Sequence, residues 1–205
     1  MTDERTPAGG DSSGHERVPD VSRRGLLGAA AAGVLAALAG CLDDDEVPNP
    51  VALDAGQLCD QCDMQIDVHP GPVGQSYYLD EPPDDLPDRE DGIAHFCSAW
   101  CTYTYVLERA EQGTEPVGSY LTNYSTVDYT LAEEGGATVI SAHLEADAFV
   151  RAEDLTHAVD SDVQGAMGAS LIGFSDADDA ETFVADHGGE PVDHEDVTRQ
   201  MVASL

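Results

Sequence analysis

The stretch Leu58-Cys59-Asp60-Gln61-Cys62-Asp63-Met64-Gln65-Ile66 brings two thiols and one thioether within six consecutive residues. Thiolate and thioether sulfur are soft ligands, and soft ligands select Cu(I) over harder divalent ions. If residues 64–66 are extended, the side-chain period of two places Cys62 and Met64 on the same face. The stretch therefore predicts a soft-metal site, although the C-x-x-C spacing of Cys59 and Cys62 also occurs in zinc sites and redox motifs.

A second cysteine pair, Cys97 and Cys101, follows at the start of a predicted helix. Residues 93–96 read as a short strand and residues 98–112 as a helix, so the two thiols stand at i and i+4 and share one side. With Cys59 and Cys62 they give the spacing C-x2-C-x34-C-x3-C. This spacing fits a closed four-thiolate zinc site. The alternatives are disulfides, which are usual outside the cytoplasm, or buried free thiols.

Residues 1–40 have the order of features expected of a Tat-type lipoprotein signal. The twin arginine Arg23-Arg24 precedes an apolar run of 14 residues that ends before Gly40-Cys41, so we expect export, cleavage and lipidation of Cys41. That run is shorter than the roughly 20 residues of a membrane-spanning helix. We therefore predict a protein held on the extracytoplasmic face of the membrane by a lipid. Residues 41–56 form an acidic tether in this prediction, and the folded part begins near Gln57.

The charge balance is strongly acidic. The chain has 41 acidic residues against 8 basic ones, all of them arginine, and a formal net charge of -33. High external salt screens the self-repulsion of such a chain, so we expect a salt-loving host. We expect no nucleic-acid partner, because nucleic acids require basic patches. The sequence contains no G-x-S-x-G, Walker or dinucleotide-binding motif, so it indicates a binding protein rather than an enzyme.

The rest of the sequence predicts an α+β fold in two halves, residues 57–117 and 118–205. The first half also contains a predicted strand at 74–79. The second half has a small-residue loop at 164–169 that carries Met167. Its predicted strands cover 137–142, a partner strand at 148–150, and 171–174, and its predicted helices cover 177–187 and 195–202.

Several stretches in the mature chain follow a recognisable order. They are Cys62-Asp63-Met64-Gln65-Ile66, His69-Pro70-Gly71-Pro72, Gly74-Gln75, residues 96–105, Asp128-Tyr129, Met167-Gly168, Gly173-Phe174 and Asp186-His187-Gly188-Gly189. Together they resemble the NosL family, the copper lipoproteins that accompany nitrous oxide reductase, here in a form similar to haloarchaeal proteins. The resemblance implies two small related ββαβ-like units around a cleft. It also implies a Cu(I) metallochaperone that passes copper to nitrous oxide reductase through its membrane-bound assembly complex.

The resemblance also assigns residues. The family's Cys-x-Met pair falls on Cys62 and Met64, and its methionine before glycine falls on Met167. Members usually have glycine where this chain has Asp63, a departure that adds a charge beside the site. The segment Phe96-Cys97-Ser98-Ala99-Trp100-Cys101 departs further, because it resembles the Phe-Cys-Ser-x-x-Cys of small TRASH-type metal-binding domains. These departures leave the metal and its coordination number open.

The leading hypothesis is a membrane-tethered Cu(I) carrier in which Cys62 and Met64 hold the ion. Met167 or a histidine completes a site of low coordination number; the candidate histidines are His69, His95 and His143. No partner is indicated for the histidines that lie in acidic surroundings, His157, His187 and His194. The alternatives are a Zn(II)-stabilised interaction domain held by Cys59, Cys62, Cys97 and Cys101 without metal delivery, and an exported thiol-disulfide protein.

Overall fold

The computed structural model describes residues 47–79, 82–84, 86 and 92–205. The predicted signal and the lipidation site Cys41 lie outside the described residues. Within them, no helix combines the length and the apolar character that crossing a bilayer requires. All described residues belong to one structural unit, Asp45–Leu205.

Short strands alternate with a few helices along the described chain. In order, the elements are β1 (Gly74–Tyr77), β2 (Ile93–Phe96), α1 (Ala99–Ala110), β3 (Gly118–Thr122), β4 (Leu131–Glu134), β5 (Ala137–Ile140), β6 (Phe149–Arg151), β7 (Thr156–Gly165), β8 (Gly168–Phe174), α2 (Ala177–His187), β9 (Glu190–Asp193) and α3 (Arg199–Ser204).

The strands form two sheets. The first has the order β2-β1-β3-β6 and is antiparallel throughout. The second has the order β4-β5-β7-β8, and β9 also pairs with β7. Its pairings are antiparallel except for β5 with β7. This combination of mostly antiparallel sheets with separate helices confirms the predicted α+β class.

The same four-element arrangement occurs twice. We call β1-β2-α1-β3 the first repeat and β7-β8-α2-β9 the second repeat. In each, the first strand lies between the other two. The registers match as well: Gly74 is opposite Phe96 and Leu121, and Thr156 is opposite Phe174 and Asp193. The second strand and the helix of each repeat can therefore be compared residue by residue.

The strand-to-helix junction is built in the same way in both repeats. Each second strand ends in a buried phenylalanine, and the N-cap of the helix follows two residues later, as Ser98 in α1 and Asp176 in α2. Both caps accept a hydrogen bond from a backbone N–H of the first helical turn, as these residue types commonly do. The phenylalanine then packs on an aromatic ring seven residues after the N-cap, with centroid distances of 5.2 Å for Phe96–Tyr105 and 5.2 Å for Phe174–Phe183.

Helix α1 packs on both sides. Cys101 and Tyr105 belong to the aromatic core of the first repeat, whereas Ala99 and Tyr103 belong to a second core that contains Leu171 of β8. Residues two apart on a helix point in nearly opposite directions. The pair Cys101 and Tyr105 therefore faces one core, and the pair Ala99 and Tyr103 faces the other. One helix therefore connects the cysteine-bearing core to the second repeat.

The predicted helices and strands are confirmed more often than the predicted pairing of strands. The strand at 93–96 and the helix at 177–187 are correct, and the predicted helix at 98–112 is α1. The predicted pairing of 148–150 with 137–142 is wrong, because β6 pairs with β3 and β5 pairs with β4 and β7. The predicted loop at 164–169 is a tight hairpin between β7 and β8, since both strands extend into it.

Contacts among the described residues cross the predicted unit boundaries. The boundary predicted after residue 117 separates β1 from β3, yet these two strands are hydrogen-bonded neighbours in the first repeat. Described residues before Gln57 already pack on the first sheet: Val47 contacts its core, and the backbone carbonyls of Pro48 and Asn49 accept hydrogen bonds from it. Tyr77 donates to the carbonyl of Asn49 and Tyr120 to that of Pro48, each over 2.9 Å.

Candidate metal centre

The sulfur atoms of the two cysteine pairs converge. The Sγ atoms of Cys59, Cys62, Cys97 and Cys101 all lie within 4.8 Å of one another. Individual separations are 3.5 Å for Cys62–Cys97, 3.7 Å for Cys97–Cys101 and 3.8 Å for Cys62–Cys101. A disulfide bond is about 2.05 Å long, so these four cysteines are free thiols. We call this set the sulfur cluster.

A tight turn presents the first two thiols. The backbone N–H of Cys59 donates to the carbonyl of Met64 over 2.8 Å, and that of Asp63 donates to the carbonyl of Cys59 over 2.9 Å. Asp63 has φ +60°, in the left-handed region that favours glycine. The chain therefore turns between Cys62 and Met64. The predicted alternation of side chains along an extended segment does not include Cys62. Met64 is half-buried and packs against the core that contains the buried cysteines.

The other two thiols stand at the N-terminus of α1. Cys97 directly precedes the N-cap Ser98, whose hydroxyl accepts a hydrogen bond from the backbone N–H of Cys101 over 3.0 Å. The partial positive charge of a helix N-terminus stabilises nearby thiolates. This position therefore favours the ionised form that binds metals.

Hydrogen bonds within the sulfur cluster favour the ionised form of the Cys59 thiol. Thiol groups of Cys101 and Cys97 hydrogen-bond to Cys59 and lower the pKa of its thiol, and backbone N–H groups of Cys97 and Gln61 act in the same direction. The hydrogen bond to Cys59, the hydrogen bond to Cys97 and burial raise the pKa of Cys101. Further ionisation needs a cation among the sulfurs, because like charges at such short separations oppose each other.

Access to the cluster is one-sided. Cys59, Cys97 and Cys101 have no exposed surface, whereas Cys62 is half-buried. The buried thiols pack among aromatic side chains of the first repeat, including Phe96 and Tyr105. A reagent or partner ligand can therefore approach the cluster at Cys62.

The other predicted ligands lie outside the sulfur cluster. Within the described ranges, the cluster contains no histidine or carboxylate. The ring Nδ1 of His95 is 2.6 Å from Gln57 Nε2, and Nε2 of His143 is 3.1 Å from Ser141 Oγ. His69 lines a separate surface pocket. Met167 is in the β7–β8 turn and is 39% exposed.

Sequence reasoning missed a polar cluster on the other side of α1, in which Tyr103 and His157 are buried and His194 is half-buried. The Tyr103 hydroxyl is 2.6 Å from His157 Nε2 and 2.8 Å from His194 Nδ1. Burial lowers the pKa of His157 to about 3, lowers the pKa of His194 and raises that of Tyr103. These residues are 54 and 91 positions from Tyr103, so no local pattern connects them. We call them the tyrosine–histidine cluster.

Comparison with known proteins identifies the family. A family model described as NosL matches residues 50–202, well over half of the chain. The chain belongs to the NosL family. A relative from Stutzerimonas stutzeri, the copper-binding lipoprotein NosL, is 26% identical over 168 residues, which are 80% of this chain and 76% of the relative. Neither that name nor the sequence motifs describe an enzyme.

A solved NosL structure has the same fold. The crystal structure of the copper chaperone NosL from Shewanella denitrificans matches with a TM-score of 0.59 and 24% identity. The match covers 75% of this chain and 98% of the Shewanella chain. The α+β architecture is therefore that of the NosL family.

Proposed function

We propose that this chain is an exported, lipid-anchored carrier that binds Cu(I) and delivers it for the assembly of nitrous oxide reductase. Membership of the NosL family supports this function, since one relative is named a copper-binding lipoprotein and another a copper chaperone. The observation that carries the proposal is the pair of partly exposed soft ligands, Cys62 and Met64, at the edge of the sulfur cluster.

The cargo site consists of Cys62 and Met64, with Met167 as a third ligand. A thiolate and two thioethers are soft ligands suited to Cu(I). Transfer requires that a partner's ligand can reach the ion, and the partial exposure of Cys62 and Met64 supports this role. A site of low coordination number leaves a position at which the partner's sulfur or imidazole can bind.

Two contacts support a position for Met167 near this site. Its neighbour Ala166 packs against the same core as Met64 and Cys62. Gly165 lies directly against Gly71 and Pro72, where a side chain would not fit. The β7–β8 turn is therefore held against the segment that follows the Cys59–Met64 turn.

The proposed location and partner follow from the N-terminal sequence and the family. Lipidation at Cys41 would hold the carrier at the extracytoplasmic face of the membrane, where the membrane-bound assembly complex of nitrous oxide reductase is its expected partner. The net charge of -33 keeps the carrier soluble in high salt and argues against a nucleic-acid partner.

The test is a Cu(I) titration of the reduced, lipid-free protein in high salt against a competing chelator. Met64→Leu keeps the side-chain volume and removes the thioether, so we expect Cu(I) affinity to fall at least about tenfold. Met167→Leu should also weaken binding. Met201→Leu is the matched control, because Met201 packs in the core on the other side of α1.

Unchanged Cu(I) affinity in Met64→Leu would exclude the proposed cargo site and favour a zinc-stabilised domain without metal delivery. A thiol-disulfide function has less support. Its cysteines must be accessible to substrate, and three of the four thiols have no exposed surface.

A further inference from the structure

We propose that Cys59, Cys62, Cys97 and Cys101 hold a resident four-coordinate Zn(II) ion, separate from the copper that is delivered. This inference goes beyond the proposed function and does not depend on copper delivery. It rests on the geometry of the sulfur cluster, on its burial and on a comparison of the two repeats.

The geometry is that of a tetrahedral thiolate site. With Zn–S bonds of about 2.3 Å, neighbouring sulfurs in a tetrahedral site are about 3.8 Å apart. The Sγ separations among Cys62, Cys97 and Cys101 are 3.5, 3.7 and 3.8 Å. Cys59 lies within 4.8 Å of all three. Only small shifts are needed to place one ion at bonding distance from four sulfurs.

Burial argues that this ion stays in place. Three of the four sulfurs have no exposed surface, so the ligand of a partner cannot displace them one after another. Zn(II) has no redox chemistry, and closed four-thiolate sites are its usual structural form. A closed, buried site suits an ion that stabilises the fold better than one that must be released.

The second repeat shows what these positions do when no thiols are present. There, Asn123 Oδ1 accepts hydrogen bonds from the backbone N–H groups of Ser175, over 2.9 Å, and Ser125, over 3.1 Å. In the first repeat the Cys59 thiol interacts with the corresponding backbone N–H groups, those of Cys97 and Gln61. Asn123 and Cys59 therefore occupy equivalent positions.

The neighbouring backbone supports the equivalence. The N–H of Asp60 donates to the carbonyl of His95, and the N–H of Tyr124 donates to the carbonyl of Gly173, both over 2.9 Å. Each acceptor comes directly before the phenylalanine at the end of the second strand. The turn at residues 59–62 thus packs against the strand-to-helix junction of the first repeat as the turn at 123–126 packs against that of the second.

The equivalence indicates what an ion would add in the first repeat. Asn123 also donates from Nδ2 to Ser175 Oγ over 2.9 Å, so neutral hydrogen bonds connect the turn to the helix start. Thiols are weak hydrogen-bond donors and acceptors, and they replace this connection poorly. A metal ion bound by all four sulfurs joins the turn at 59–62 to α1 instead.

Cys62 belongs to both proposed sites. A thiolate sulfur keeps lone pairs after it has bound one ion, so a second soft ion can bind to its exposed side. Because Met64 and Met167 lie outside the sulfur cluster, variants can separate the two sites.

The experiment is metal analysis of the lipid-free protein purified in high salt without added metal, followed by cobalt replacement. We expect about one zinc ion per chain, and Co(II) should give the absorption of a tetrahedral thiolate complex. Cys59→Asn combined with Cys97→Ser introduces the residues of the second repeat. This double variant should lose zinc, stay folded, and still take up Cu(I) within about tenfold of the original affinity.

The complementary variant is Met64→Leu, which should bind zinc as before and lose Cu(I) affinity. Failure of the copper proposal therefore leaves the zinc result unaffected. The zinc proposal is overturned if the unaltered protein contains no zinc and gives no tetrahedral Co(II) spectrum. It is also overturned if one equivalent of Cu(I) releases one equivalent of zinc, because the four sulfurs are then the cargo site.

Discussion

At the start of α1 the first repeat places four thiols, whereas at the start of α2 the second repeat places an amide, two hydroxyls and a carboxylate. The equivalent residues, taken from the shared backbone contacts and spacing, are Asn123 for Cys59, Thr126 for Cys62, Ser175 for Cys97 and Asp179 for Cys101. The first set is mostly buried. In the second set Asn123 is buried and the other three side chains are exposed.

This difference shows that the junction itself does not require a metal. The second repeat reaches the same strand register, the same N-cap position and the same 5.2 Å aromatic contact with hydrogen bonds alone. The thiols of the first repeat therefore add a chemical property to a strand-to-helix junction whose backbone structure packing already specifies. Metal chemistry is the property for which thiols are better suited than amides or hydroxyls.

The largest expected effect comes from Cys97→Ala in zinc-loaded protein, compared with Ser175→Ala. Loss of one zinc ligand should lower the free energy of unfolding by more than about 4 kcal/mol, because metal binding and folding are coupled. The exposed hydroxyl of Ser175 should contribute less than about 1 kcal/mol. Denaturant unfolding of both variants in high salt measures the contrast. Equal losses would mean that the two junctions are held in the same way.

The second prediction concerns the tyrosine–histidine cluster, which joins α1 to the second repeat. Burial holds the pKa of His157 near 3, below its ordinary value of about 6.5, so the folded state favours the neutral ring. This contribution to stability is complete above pH 6.5 and is lost as the pH falls toward 3. Between pH 7 and pH 4 we expect a loss of more than about 2 kcal/mol.

The control for this pH effect is His157→Gln, which removes the titrating group. Carboxylates elsewhere titrate equally in both proteins, so the difference between the two curves reports His157. Parallel curves would show that His157 does not set the acid sensitivity.

The third prediction is that Asn123→Ala destabilises the second repeat by about 2 kcal/mol. Its side chain accepts two backbone hydrogen bonds and donates one, and it is 1% exposed. Truncation leaves these groups without partners. Hydrogen exchange should accelerate in α2 and leave the amides around Cys59 unchanged. Equal acceleration in both repeats would show that the two strand-to-helix junctions do not open independently of each other.

The smallest expected effect is that of Asp63→Gly. Asp63 has φ +60°, a conformation that glycine adopts without a steric penalty, so we expect a gain of about 0.5 kcal/mol. Asp160→Gly is the matched control, since Asp160 has φ +57° in β7, away from the sulfur cluster. If both variants change stability equally and only Asp63→Gly alters metal affinity, the charge of Asp63 acts on the metal site.

Local sequence patterns were sufficient for the helices and for the family. The local patterns of residues 98–112 and 177–187 predicted α1 and α2. The spacing of the four cysteines predicted a shared site, and the order of short motifs indicated the NosL family. These features depend on residues within a few positions of each other, or on residue type alone.

Pairings between distant residues could not be predicted in this way. The longest strand, β7, was missed because it is buried at some positions and exposed at others and contains Asp160 and Asp162. The partner of β6, the contacts of Tyr103 and the equivalence of Cys59 with Asn123 all join residues far apart in the chain. Such contacts depend on which surfaces bury each other best, and this is known only once the whole chain is packed.

The sequence by itself therefore determined which sulfur-bearing side chains stand near Cys62 in the chain, the two helices that follow the phenylalanine-ended strands, and the family. Only the tertiary structure decided that the four thiols converge, that three of them are buried and that the second repeat closes the same junction without sulfur. The reason is physical: ligand type and helix capping are properties of neighbouring residues, whereas convergence and burial arise when strands from distant parts of the chain pack together.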